Sequence, residues 1–288
     1  MHAVTVLPKC LSSVFDRMHA ARRRVLLGAV AALLMSRRLI LMELARAWPG
    51  ASQVRAPLKR LDRLLGNAHL ANEAEPCYAA MARWLVRGDR PIIVIDWSDL
   101  KPDGSLHLLR AGIPVGGRTL TVLEAIYPER QKNSPRAERQ FLRRLQALLP
   151  SDVKPIIVTD AGFRSPWFRA VTKLGWDYVG RLRNRTLVQL TREAGWIANR
   201  SLHGEAQTQP KRWRAARIVR NAPWCCDSRA GGQTPSSAQA PDRPWRTGTL
   251  AQKPQGRASQ PGTVVARDLP HRGSQPTSRG DLCQAHAN

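Results

Sequence analysis

Apolar residues in the first third of the chain recur at intervals of three and four. From about Ser12, the stretch SSVFDRMHAARRRVLLGAVAALLMSRRLILMELARAW carries this spacing on good helix formers, and Pro49-Gly50 ends it. APLKRLDRLLGN then predicts a further helix, with Leu58, Leu61, Leu64 and Leu65 on one face and Lys59, Arg60 and Arg63 on another. Residues 1–90 therefore read as a helical module with a basic face.

From Pro91 the period shortens. PIIVID reads as a strand, and LHLLRAGIPVGGRTLTVLEAIYP as two more joined through Gly116-Gly117. A helix follows, with Ser134 as its N-cap, Pro135 at its first position and Phe141, Leu142, Leu145, Leu148 and Leu149 as its apolar stripe. PIIVTD is another strand, Ser165-Pro166 opens a second helix by the same device, Gly175 closes it, and WDYVGRLRN is a last strand. The order β-β-β-α-β-α-β over residues 91–199 predicts an α/β fold with a mixed sheet flanked by helices.

Residues 200–288 lose both periods. The last 84 residues hold only seven Ile, Leu, Val, Met or Phe, against the roughly 20% expected of a packed core. A disordered tail is the expectation there.

Charge narrows the choice of partner. The chain has 46 Lys plus Arg against 21 Asp plus Glu, a formal charge of +25. The first 204 residues alone carry +17, so the basic character does not depend on the tail. Such an excess points to polyanions, with nucleic acid ahead of an anionic membrane surface. The longest apolar run, Val25 to Met35, is broken by Ser36-Arg37-Arg38 and falls short of the roughly 18 residues of a membrane span. With no secretory signal pattern, a cytoplasmic protein with no membrane partner is expected. The five cysteines (Cys10, Cys77, Cys225, Cys226, Cys283) lack metal-ligand spacing and read as free thiols.

Two carboxylates stand out. Asp96 ends the β-branched run of PIIVIDWSDL, and Asp160 ends that of KPIIVTDAGFR. If the two strands are neighbours, the carboxylates sit at one end of the sheet, where they would repel without a cation between them. Hard divalent ions take such oxygen ligands, and a two-metal phosphoryl-transfer site would use both. The plainer reading is that each Asp ends a strand or makes a turn, since Asp160-Ala161-Gly162 is good turn chemistry. From spacing alone both readings stand.

Arg181, Arg183 and Arg185 alternate in YVGRLRNRT and would share one strand face, with Arg164 near the same sheet end. Such a row could track phosphates or simply protect a solvated strand edge. Lys59, Arg60 and Arg63 could grip a DNA backbone or be a solvated helix face. Trp84, Trp97, Trp167 and Trp176 read as packing residues, and His69 and His107 are assigned no role.

IVIDWSDLKPDG, PVGGRTLTVLEAIYPE, PIIVTDAGFRSPWFRAVTKLGWDYVGRLRNRT and, upstream, LKRLDRLLGN resemble the transposases of the insertion-sequence-four type, which are bacterial DDE recombinases with a ribonuclease-H-like core. The resemblance covers roughly Leu58 to Thr186. It implies that Asp96 and Asp160 are the first two catalytic, metal-binding carboxylates, that the metal is magnesium or manganese, and that Asp99 plays a supporting part. It also implies double-stranded DNA as partner, both transposon ends and target, a homodimer on that DNA, and a bacterial cytoplasmic location at the nucleoid. Arg164, Arg181, Arg183 and Arg185, from their position at the sheet end, and Lys59, Arg60 and Arg63, with support from the resemblance and the total charge, are the residues expected to bind DNA.

The family's third carboxylate is a Glu in a segment running Tyr, two residues, Arg, three residues, Glu, six residues, Lys. No Glu follows Glu205 and the last Tyr is Tyr178, so the tail cannot supply it. YPERQK, from Tyr127, has similar letters at the wrong place and spacing. The expectation is a transposase, built for metal-dependent DNA strand cleavage and transfer, left inactive by a frameshift near Arg200 to Glu205. The alternative is a DNA-binding regulator that inhibits an intact transposase.

Overall fold

The computed structural model describes residues 3–205, 211–221, 223–231 and 262–266. The chain divides into two compact units, Met1–Lys132 with Gln140–Val153, and Asn133–Arg139 with Lys154–Asn288.

The first unit begins with six helices: α1 (Ala3–Cys10), α2 (Ser12–Phe15), α3 (Ala20–Ser36), α4 (Leu41–Arg46), α5 (Arg55–Leu65) and α6 (Ala68–Leu85). Two clusters hold them. Leu11, Val14, Phe15 and Met18 pack on Ala80 of α6, and Ala32, Leu44, Ala45 and Trp48 pack on Leu61 of α5. A Cβ at Gly28 would lie 2.5 Å from the Trp48 ring, so only glycine lets α3 approach this indole. Arg22 and Glu73 tie α3 to α6, with Nε–Oε2 at 2.7 Å.

Leu61 and Leu64 of α5 are buried, as their spacing predicts, but Leu65 is 66% exposed. It is the last residue of the helix, just before Gly66, and lies off the buried Leu61–Leu64 side. Trp84, expected to pack, is also half exposed and donates its indole N–H to the Cys10 carbonyl at 3.0 Å.

Strands β1 (Ile92–Asp99), β2 (Leu106–Val115) and β3 (Arg118–Pro128) pair antiparallel in sequence order. Gly116 and Gly117 turn β2 into β3 with φ of +54° and +75°, the left-handed pair that a two-residue hairpin of this type requires. Residues 140–148 of α7 (Pro135–Leu148) also belong to this unit. There Phe141, Leu142 and Leu145 are fully buried, and Arg144 pairs with Glu75.

In the second unit β4 (Ile156–Thr159) runs parallel to β5 (Asp177–Arg181), and α8 (Ser165–Lys173) makes the crossover. Trp167 and Phe168 of α8 are buried, and Gly180 leaves room for the Phe168 ring. The fold is thus α/β, with a mixed sheet in β1–β5 flanked by helices and an amino-terminal helical module, consistent with a ribonuclease-H-like core.

The segment expected to be disordered departs from that expectation where it is described. After β6 (Leu187–Gln189) and β7 (Ile197–Ala198), β8 (Lys211–Ile218) and β9 (Trp224–Gly231) form an antiparallel pair, and β10 (Gly262–Ala266) pairs with β5 and β9. The inward positions include Ala216 and Cys226 beside Ile218, all buried. A count restricted to Ile, Leu, Val, Met and Phe overlooks such small residues, and the strand ladder needs no large side chains to form. Residues 206–210, 222, 232–261 and 267–288, among them Asp242 and Cys283, lie outside the described residues. Cys10, Cys77, Cys225 and Cys226 are free thiols. No helix among the described residues is long and apolar enough to cross a membrane.

Candidate nucleic-acid interface

Asp96 belongs to the first unit. Ile93 and Ile95 of β1 are fully buried, so the alternation of the strand places Asp96 on the exposed side, opposite Arg110 of β2 in register. Three residues on, Asp99 is held from two sides. Its Oδ1 accepts from Lys132 Nζ at 2.7 Å and lies 2.8 Å from Nδ1 of His107. A carboxylate only accepts, so Nδ1 is the protonated nitrogen of that ring. The Lys132 ammonium, then the His107 contact, hold the Asp99 carboxyl below its ordinary range.

His107 is 3% exposed, and the sequence offered no reason to single it out. Its partner lies across the loop that carries Asp103-Gly104, eight positions back at Asp99. The register pairs them.

Asp160 belongs to the second unit and follows β4, whose Ile157 is fully buried. Its side chain is exposed, and Oδ1 accepts from the Gly162 backbone N–H at 2.8 Å. A Cβ on Gly162 would stand 2.8 Å from that same oxygen, so a larger residue there would push the Asp160 carboxylate out of this position. The strand-end turn chemistry read from Asp160-Ala161-Gly162 is therefore present.

The arginine row takes a different form from the one expected. β5 ends at Arg181, and Arg183 and Arg185 lie in the turn beyond it, where Thr186 N–H bonds to the Arg183 carbonyl at 2.9 Å. They share no strand face, because the ladder stops at Arg181. They do share a cleft of about 440 Å³, lined by Arg164, Arg181, Arg183 and Arg185 and by Arg220, which lies past the end of β8 and went unnoticed in the sequence. Its walls include Phe163, Pro166 and Leu182. Arg183 also donates through Nε to the Ala161 carbonyl at 2.7 Å and through Nη2 to that of Gly162 at 3.1 Å.

On α5, Lys59, Arg60 and Arg63 are exposed together with Arg55. None of the four is in an ion pair among the described residues, in contrast to Arg22, Arg46 and Arg144. Trp97 packs edge-on against Tyr127 at 5.4 Å, and Trp167 and Trp176 are buried, so these three are packing residues.

Among the described residues no group of three or more His, Cys, Asp or Glu side chains could hold a metal ion. Asp96 and Asp160 are oxygen donors of the kind magnesium takes, but two carboxylates do not make up a three-acid centre.

Residues 87–224 match the family model described as the transposase DDE domain. The match begins just before β1 and runs through β8, so it passes the Arg200 to Glu205 region where the sequence reading put the break. Backbone bonds from Asn199 to Thr186 and from Arg200 to Asn184, at 2.8 and 3.0 Å, likewise carry the described structure into that region. Comparisons with curated proteins and with solved structures find no match. The match to a transposase DDE domain supports a general role in DNA phosphoryl transfer.

Proposed function

We propose that this chain is a transposase of the insertion-sequence-four type that binds DNA along its phosphate backbone and, in this form, does not complete strand cleavage and transfer. The match of residues 87–224 to the transposase DDE domain carries the reading. The +25 charge and the arginine-lined cleft next to the Asp160 turn support it.

Asp96 and Asp160 are the two carboxylates that would bind magnesium or manganese. When bound, such ions activate a water and stabilise the attacking and leaving oxygens of the phosphodiester. Arg164, Arg181 and Arg185, joined by Arg220, hold phosphates of the bound strand in their guanidinium forks. Lys59, Arg60 and Arg63, with Arg55, place a second run of positive charge on α5, and a homodimer would bring two DNA ends together.

The family's third carboxylate has no counterpart after Glu205, where the only acids are Asp227, Asp242, Asp268 and Asp281. Losing one of three ligands removes catalysis while leaving backbone affinity in place.

The test is a supercoiled plasmid incubated with the full chain and magnesium or manganese, alongside Asp96→Asn and Asp160→Asn. Plasmid binding without nicking by any of the three is expected. Metal-dependent nicking that Asp96→Asn abolishes would show an intact centre, and failure to bind would remove the DNA reading altogether.

A further inference from the structure

Arg183, one of the arginines of the cleft, is bonded to the protein's own backbone. Its Nε and Nη2 donate to the consecutive carbonyls of Ala161 and Gly162, at 2.7 and 3.1 Å. Those two peptide groups form the turn whose Gly162 N–H donates to Asp160 Oδ1 at 2.8 Å. A planar guanidinium with two parallel donors fits two such acceptors better than a single rotating ammonium would.

Arg183 is itself anchored from behind. The Asn199 N–H bonds to the Thr186 carbonyl at 2.8 Å, and the Arg200 N–H to that of Asn184 at 3.0 Å. The Asn199 side chain is fully buried, and its Nδ2 reaches the Leu182 and Arg183 carbonyls at 3.5 and 3.4 Å. Both ends of the 182–186 turn are thus fixed to the 199–200 segment. The polar contacts then run in one direction, from Asn199 to the 182–186 turn, from Arg183 to the 161–162 peptides, and from Gly162 to the carboxylate.

We infer that Arg183 is a positioning residue for Asp160, with Asn199 as its support. Its guanidinium fixes the turn so that one carboxylate oxygen is occupied by Gly162 and the other is directed to a ligand. Arg164, Arg185 and Arg220 are the phosphate-facing members of the cleft. This rests on the reading of Asp160 as a metal-binding carboxylate. It divides the arginine row by role, since two of the Arg183 donors are already engaged.

Three measurements on the full chain separate the roles in Arg183→Gln and Arg183→Lys. The first is the slope of log K against log salt for a DNA duplex. Each lost phosphate contact lowers its magnitude by about 0.9. A positioning role leaves the slope unchanged for Arg183→Gln, while Arg164→Ala lowers it. The second is amide hydrogen exchange over residues 160–164, where Arg183→Gln should lose protection and Arg183→Lys retain part of it. The third is Mn2+ binding, expected to weaken roughly ten-fold or more in Arg183→Gln, as happens when a group supporting a metal ligand is removed.

A slope reduced by about 0.9 with exchange over 160–164 unchanged would overturn the inference and make Arg183 a phosphate ligand. If Arg183→Gln loses protection throughout β1–β3 as well, it has unfolded and Arg183→Lys decides by the same criteria. If Asp160→Asn leaves Mn2+ binding intact, the metal reading of Asp160 fails, whereas the exchange result still decides whether Arg183 holds the turn.

Discussion

Asp99 and His107 face each other across the β1–β2 pair, with carboxylate Oδ1 and ring Nδ1 2.8 Å apart and the ring buried. Lys132 approaches the same oxygen at 2.7 Å. The end of the strand that carries Asp96 is therefore pinned by charge as well as by the sheet ladder. Because these contacts depress the Asp99 carboxyl in the folded protein, they stabilise the fold at pH values above the unfolded carboxyl's pKa of about 4. That contribution is lost as pH falls from there through the lower folded value. The thermal midpoint of the native chain should then drop more steeply with acid than that of Asp99→Asn, and the two curves should converge at the acid end. Parallel curves would mean that the pairing adds nothing.

Gly180 and Phe168 give a steric prediction in the second unit. A Cβ at Gly180 would stand 2.5 Å from the ring, and Phe168 is 1% exposed with Tyr178 stacked against it at 4.7 Å. The ring is held by Tyr178 on one side and borders the arginine-lined cleft on another. Gly180→Ala should destabilise by about 1–3 kcal/mol, the usual cost of overpacking a filled core, and Gly180→Val by more. Denaturant unfolding measures this, and a change below about 0.5 kcal/mol would mean that α8 can move off β5 freely.

In α5 the leucines separate by position. Leu61 is 3% exposed and lies in the cluster with Trp48, whereas Leu65 is 66% exposed. Leu61→Ala should cost about 2–5 kcal/mol and Leu65→Ala less than about 0.5 kcal/mol. Equal costs would show that Leu65 is covered by something other than this unit.

Much of the fold was legible because local rules act over short spans. The Gly116-Gly117 turn, the stripe from Phe141 to Leu149 and the strands at Ile92 and Ile156 follow from period and turn chemistry alone. Contacts between separate segments of the chain were less legible. Asp99 with His107, and Arg183 with the Ala161 and Gly162 carbonyls, join residues 8 and about 20 positions apart that no periodicity links. The alternation of Arg181, Arg183 and Arg185 was a true pattern given the wrong geometry, because a period of two implies a shared face only while the strand continues. The β8–β9 pair was missed because Ala216 and Cys226 fill places where a search for large apolar residues finds none.

The DNA reading is tested most directly by the affinity of the full chain for a DNA duplex of arbitrary sequence, measured from low to moderate salt without added divalent metal. Log K should fall linearly with log salt, with a slope of several units. The combined Lys59→Ala, Arg60→Ala and Arg63→Ala variant should lose nearly three units of that slope at about 0.9 per phosphate contact. An affinity that is negligible at low salt, or one that salt does not change, would contradict the account.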